Sequence, residues 1–124
     1  MDHSNITQWS IIMTGKPGGL YEGGKFKISV SFPPNYPFSS PRVLFVTPIY
    51  HVNTNRSGSV CLYLLNNMWS PSLTVSKIML SLDVLLENPD INSPLDFSRS
   101  ALYNSDRKSY EEECRKSAAL SHSF

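Results

Sequence analysis

Residues 25–32, KFKISVSF, alternate without a break: Phe26, Ile28, Val30 and Phe32 fall on one side, Lys25, Lys27, Ser29 and Ser31 on the other. A period of two is the signature of a half-buried strand, one face on a core and one in water, and it favours antiparallel pairing. Two neighbouring runs extend the pattern. QWSIIMT, from Gln8 to Thr14, reads as a strand stopped by the turn signal Gly15-Lys16-Pro17-Gly18-Gly19. VLFVTPI, residues 43–49, reads as a third strand after the proline-punctuated loop PPNYPFSSPR. Three strands on short connections form a meander. With nothing before Gln8 to cover it, the outer edge of the first strand is expected to be open to pairing with a second chain.

Beyond residue 70 the period changes. In TVSKIMLSLDVLLENP the apolar positions Val75, Ile78, Met79, Leu82, Leu85 and Leu86 follow helical spacing, and Pro89 predicts an end near Glu87 or Asn88. Two further helices are predicted, about Phe97 to Tyr103 and Asp106 to Leu120. Asp106 suits an N-cap, and Glu111–Arg115 and Glu112–Lys116 have the supportive i, i+4 spacing. Strands first and helices after imply an α+β domain: a three-stranded antiparallel β-meander with C-terminal helices packed on one side. At 124 residues the chain has room for one core, so 1–124 reads as a single domain.

Composition narrows the functional classes. A net charge of +1 and no basic block leave little for phosphate neutralisation, which argues against a nucleic-acid partner. Cys61 and Cys114 stand far apart and in no metal-ligand spacing, so neither a zinc site nor a disulfide framework is expected. No apolar stretch is long enough to span a bilayer, and the opening MDHSNITQWS is polar, unlike a signal peptide. The sequons at Asn5 and Asn55 then read as coincidence, and a reducing compartment, cytoplasmic and/or nuclear, is expected.

Taken alone, Cys61 between Val60 and Leu62 reads as a small buried hydrophobe. Its surroundings read otherwise. The order is Tyr50-His51-Val52-Asn53, a polar turn with Gly58, Ser59-Val60-Cys61-Leu62, Trp69-Ser70-Pro71, then the amphipathic helix. This resembles the catalytic segment of a ubiquitin-conjugating enzyme. The likeness extends to SFPPNYPFSSPRVLFVTPIYHVN, to LLENPDINSP and to LYNSDRKSYEEECRKSA, so it runs from about Gln8 to the C-terminus.

The resemblance implies thioester chemistry. Cys61 would accept ubiquitin from an activating enzyme and pass it to a lysine, directly or with a RING- or HECT-type ligase; a thiolate is nucleophilic, and its thioester stays reactive toward amines. No cofactor is implied, ATP being used by the activating enzyme. Asn53 matches the family asparagine that stabilises the oxyanion or holds the active-site loop, and His51 the histidine that braces this loop. Ser93 matches the position opposite the cysteine that receives the substrate amine; serine can hydrogen-bond there but carries no negative charge. Phe38 and Ser70-Pro71-Ser72 match the two ligase-docking loops, while Trp69 and Tyr103 read as packing.

Three departures stand out. Val52 replaces the usual proline, which removes a constraint on φ and predicts a less rigid loop. Tyr63 stands two residues after the cysteine, where a small polar or acidic residue is common, and could shield or crowd the thioester. The family's first helix and first strand have no counterpart. These leave open a variant that serves as a ubiquitin-binding adaptor, or an enzyme for a ubiquitin-like modifier.

Overall fold

The computed structural model describes residues 7–62, 65 and 68–121. Three strands, β1 (Thr7–Thr14), β2 (Lys25–Phe32) and β3 (Arg42–Phe45), form an antiparallel sheet in the order β1-β2-β3. Three helices follow: α1 (Val75–Glu87), α2 (Phe97–Ser105) and α3 (Arg107–Ala119). This is the α+β meander that the two periodicities predict.

The alternation in β2 does what it must. Phe26, Ile28 and Val30 are fully buried, and β1 adds Met13 and β3 adds Val43 and Phe45 to the same face. Against it lie Ile78, Leu82 and Leu86 of α1 and Tyr110, Cys114 and Ala118 of α3, all within one core. The four-residue spacing in each helix produces a single inward stripe. Each large aliphatic so buried contributes roughly 1.5–3 kcal/mol relative to exposure. Helix ends follow local chemistry. Thr74 caps α1 by accepting from Lys77 N at 3.2 Å, and Asn88 closes it just before Pro89. Asp106 caps α3 as expected, accepting from Ser109 N at 3.1 Å.

β3 is shorter than the predicted 43–49. Beyond Phe45, both Val46 N and Thr47 N point at Lys27 O, at 2.8 and 3.3 Å, so two residues oppose one and the ladder ends. Pro48, next in line, has no N–H to resume it. The chain is thereby turned off the sheet toward the segment that carries Cys61. The outer edge of β3 is covered in part by a returning turn, through Phe45 N to Gly58 O (2.8 Å) and a bridge of Leu44 to Ser59. Gly58 is required there: its φ is +91°, and a Cβ would lie 2.3 Å from Phe45 O. β1 forms the other edge, and among the described residues no strand pairs with its outer side.

Candidate active site

Cys61 is positioned by a tight reversal. Asn55 Oδ1 accepts from Ser57 N (3.1 Å) and Ser59 N (3.0 Å), which folds the polar turn on itself. A bridge of Thr54 to Val60 follows, and Cys61 N donates to Asn53 O at 2.8 Å. Cys61 is half-buried and lines an open groove of about 300 Å³ beside α1, with Leu62, Met68, Leu85 and Asp90 among the other lining residues. Cys114 is the opposite case. It is fully buried in α3, 3.2 Å from the Tyr21 hydroxyl, and burial pushes its thiol up to about 11. Of the two thiols only Cys61 faces a space that a substrate could enter.

The backbone leading to Cys61 is held almost residue by residue. Arg99 Nη1, from α2, donates to Ile49 O (3.0 Å) and to Thr54 Oγ1 (2.7 Å). The Tyr21 hydroxyl donates to Tyr50 O. Tyr110, from α3, accepts from Val52 N at 3.0 Å, and Leu95 N donates to Val52 O at 3.1 Å. The valine thus carries a restraint that a proline could not, because proline has no N–H to offer Tyr110. The loss of a fixed φ is accompanied here by a buried hydrogen bond from Val52 N.

His51 is fully buried and makes a bond at each ring nitrogen: Nε2 to Leu85 O at 2.9 Å, and Asn53 N to Nδ1 at 3.0 Å. A carbonyl partner at Nε2 and an N–H partner at Nδ1 together require the neutral Nε2–H tautomer. Burial drives its pKa down from 6.5 to about 4, so it is a brace and has no exposed nitrogen with which to act as a base. The consequence for stability has a definite sign. Between pH 6.5 and about 4 the unfolded chain binds a proton at His51 that the folded chain excludes, so stability falls as pH falls through this window. The expected loss is about 3 kcal/mol by pH 4, from the linkage of pKa shift to free energy. Urea midpoints measured from pH 7 to pH 4 would show it, and His51→Gln should flatten that part of the profile.

Asn53 is also fully buried. Its Nδ2 donates to Asp90 O (2.9 Å) and Ser93 O (2.8 Å), and its Oδ1 accepts from Asp90 N (2.9 Å). Both amide hydrogens are therefore committed to the 90–93 loop, and neither is left for an oxyanion. Of the two roles the family likeness allows, this geometry matches the brace. Ser93 enters the clamp through its carbonyl, and the residue of the 90–93 loop that lines the Cys61 groove is Asp90.

The family model for ubiquitin-conjugating enzymes matches residues 1–118. The chain belongs to the ubiquitin-conjugating enzyme family. It is 40% identical over 116 residues to a protein of Arabidopsis thaliana named "Probable ubiquitin-conjugating enzyme E2 31", a match that covers 94% of this chain and 75% of that relative. The family is one of transferases in the ubiquitination pathway, with ubiquitin, an activating enzyme and ligases as its partners in general.

In this member of the ubiquitin-conjugating enzyme family the two loops matched to ligase docking lie together. Phe38 is 77% exposed, and Pro71 and Ser72 are exposed beside half-buried Ser70. Trp69 ties the loops by donating Nε1–H to Pro37 O at 2.9 Å, with its ring 6.1 Å from that of Tyr36. Ser70 and Ser72 are linked through their hydroxyls at 3.0 Å. Tyr103 packs edge-on to Tyr110 at 5.0 Å. Tyr63 lies outside the described residues. Sequence reasoning missed Arg99, Tyr21, Tyr110 and Asp90. For Arg99 a signal existed: Asp96 three residues earlier caps α2 and pairs with it at 3.4 Å, an arrangement visible as Asp-x-x-Arg. For the tyrosines there was none, because Tyr110 on the inward stripe of a helix reads as packing and Tyr21 stands in a glycine-rich turn with no local sign of its partner.

Proposed function

We propose that Cys61 accepts ubiquitin as a thioester from an activating enzyme and, with a RING- or HECT-type ligase, passes it to a lysine. The observation that carries this is the contrast between the two thiols: Cys114 is sealed in the core, while Cys61 opens on a groove at the end of a backbone segment braced on every side. The Cys61 thiolate attacks the incoming thioester carbonyl, the activating enzyme's sulfur departs, and the new thioester sits in the groove. Asn53 and His51 act as positioning residues that fix where it lies. Phe38 and Ser70-Pro71-Ser72 supply the ligase-facing surface. No resident cofactor is needed, since ATP is consumed by the activating enzyme, and the setting is the cytosol or nucleus.

The test is charging. The purified chain is incubated with activating enzyme, ATP and ubiquitin, then run on a gel with and without reductant, beside Cys61→Ala. A shifted band that reductant removes and Cys61→Ala abolishes is the expected result. No band from a demonstrably folded chain would overturn it, in favour of an adaptor that binds ubiquitin or of a ubiquitin-like modifier as the passenger.

A further inference from the structure

We propose that Tyr110 of α3 is a positioning residue for the Cys61 thioester, acting through a hydrogen bond that exists because residue 52 carries an N–H; this rests on the thioester chemistry proposed above. Val52 N donates to the Tyr110 hydroxyl at 3.0 Å, and both residues are fully buried. With proline at residue 52 the bond could not form. The acceptor is held in place. Tyr103 meets the Tyr110 ring edge-on at 5.0 Å, and the Tyr50 ring lies 5.6 Å from it. Burial, and then the neighbouring Cys114 thiol, raise the Tyr110 hydroxyl above its ordinary range, so it stays a neutral phenol.

What this bond holds lies one step from the thiol. Val52 O accepts from Leu95 N at 3.1 Å, and the next residue, Asn53, supplies the carbonyl that takes Cys61 N at 2.8 Å. The 52–53 backbone is thus pinned to α3 through an N–H and to the segment before α2 through a carbonyl, and Cys61 hangs from it. Without the Tyr110 oxygen, Val52 N is left buried and unpaired, a state the backbone relieves by moving. The Asn53 carbonyl moves with it, and Cys61 follows. A shift of about 1 Å at a reacting group can cost on the order of 10²-fold in rate. Tyr110 touches no substrate, and its effect passes through Val52 and Asn53.

The experiment is single-turnover discharge of the purified Cys61–ubiquitin thioester to free lysine, for wild type, Tyr110→Phe, Val52→Pro and the double variant. Tyr110→Phe keeps the ring and removes the acceptor, and should slow discharge roughly fivefold, the scale of one hydrogen bond. Val52→Pro puts a ring carbon where the N–H had pointed at an oxygen 3.0 Å away, and should slow it at least as much. In the double variant that carbon takes the room the hydroxyl left, and the rate should return to within about twofold of wild type, the non-additivity expected of two groups in contact. Ile78→Val loosens the same core without touching this bond and should leave the rate unchanged. A rate that Tyr110→Phe does not alter, single-variant losses that compound in the double, or an equal loss in Ile78→Val would overturn the assignment. A wild-type chain that does not charge would remove the thioester reading and this one with it, and that result appears before any lysine is added.

Discussion

Arg99→Ala is expected to lower the unfolding free energy by about 2–4 kcal/mol, the consequence of removing a buried guanidinium and leaving two buried acceptors without their donor. Arg99 is only 8% exposed, and the mutation would strip donors from Ile49 O and Thr54 Oγ1 while leaving the Asp96 carboxylate without its 3.4 Å partner. It also removes the guanidinium stacked 4.7 Å above the Tyr50 ring. Against the ~5–15 kcal/mol that holds a typical domain, this is a large share. Arg99→Lys should recover less than half, because an ammonium is a point charge that cannot reach a carbonyl, a hydroxyl and a carboxylate in one plane. Urea denaturation measures both. A loss under about 1 kcal/mol for Arg99→Ala would show that the 49–54 backbone finds its hydrogen bonds elsewhere.

Asn53→Ala should cost about 2–3 kcal/mol and slow discharge of a Cys61 thioester by roughly 10- to 100-fold, with the stability loss and the rate loss arising from the same hydrogen bonds. The substitution leaves Asp90 N and Ser93 O without their partner and Asp90 O with Ser93 N alone, at 3.2 Å, so the loop that frames the groove loses its anchor. Hydrogen exchange at the Asp90 amide should rise in step. An oxyanion donor would give a different result: a slower reaction with stability and exchange unchanged. Asn53→Asp sharpens the comparison. It keeps an acceptor for Asp90 N but turns the second side-chain atom from donor to acceptor, facing two carbonyls in a fully buried site. It should be at least as destabilising as Asn53→Ala, and an Asn53→Asp variant of wild-type stability would contradict the brace.

Most of the scaffold was legible because its signals are local. Alternation in KFKISVSF marks the buried face of β2, and the i, i+4 stripe of Ile78, Leu82 and Leu86 marks that of α1. Capping at Asp106 and the stop at Pro89 depend on backbone chemistry within a few residues, so their boundaries held to within one or two positions. The predicted third strand overran because its end depends on Lys27, some twenty residues upstream, whose single carbonyl takes two N–H groups. Nothing within VLFVTPI encodes that.

The sequence by itself determined the class of the fold, the order of its elements and the family to which the segment around Cys61 bears its likeness. The tertiary structure decided which polar side chains hold that segment. The side chains of Tyr21, Arg99 and Tyr110 and the backbone of Asp90 reach it from four separate parts of the chain, and His51 and Asn53 face inward to meet partners more than thirty residues away. The reason is that periodicity reports which side of an element is dry, whereas a hydrogen bond depends on where two atoms meet. In a buried site, where every such atom must find a partner, only the packing of the whole chain specifies that.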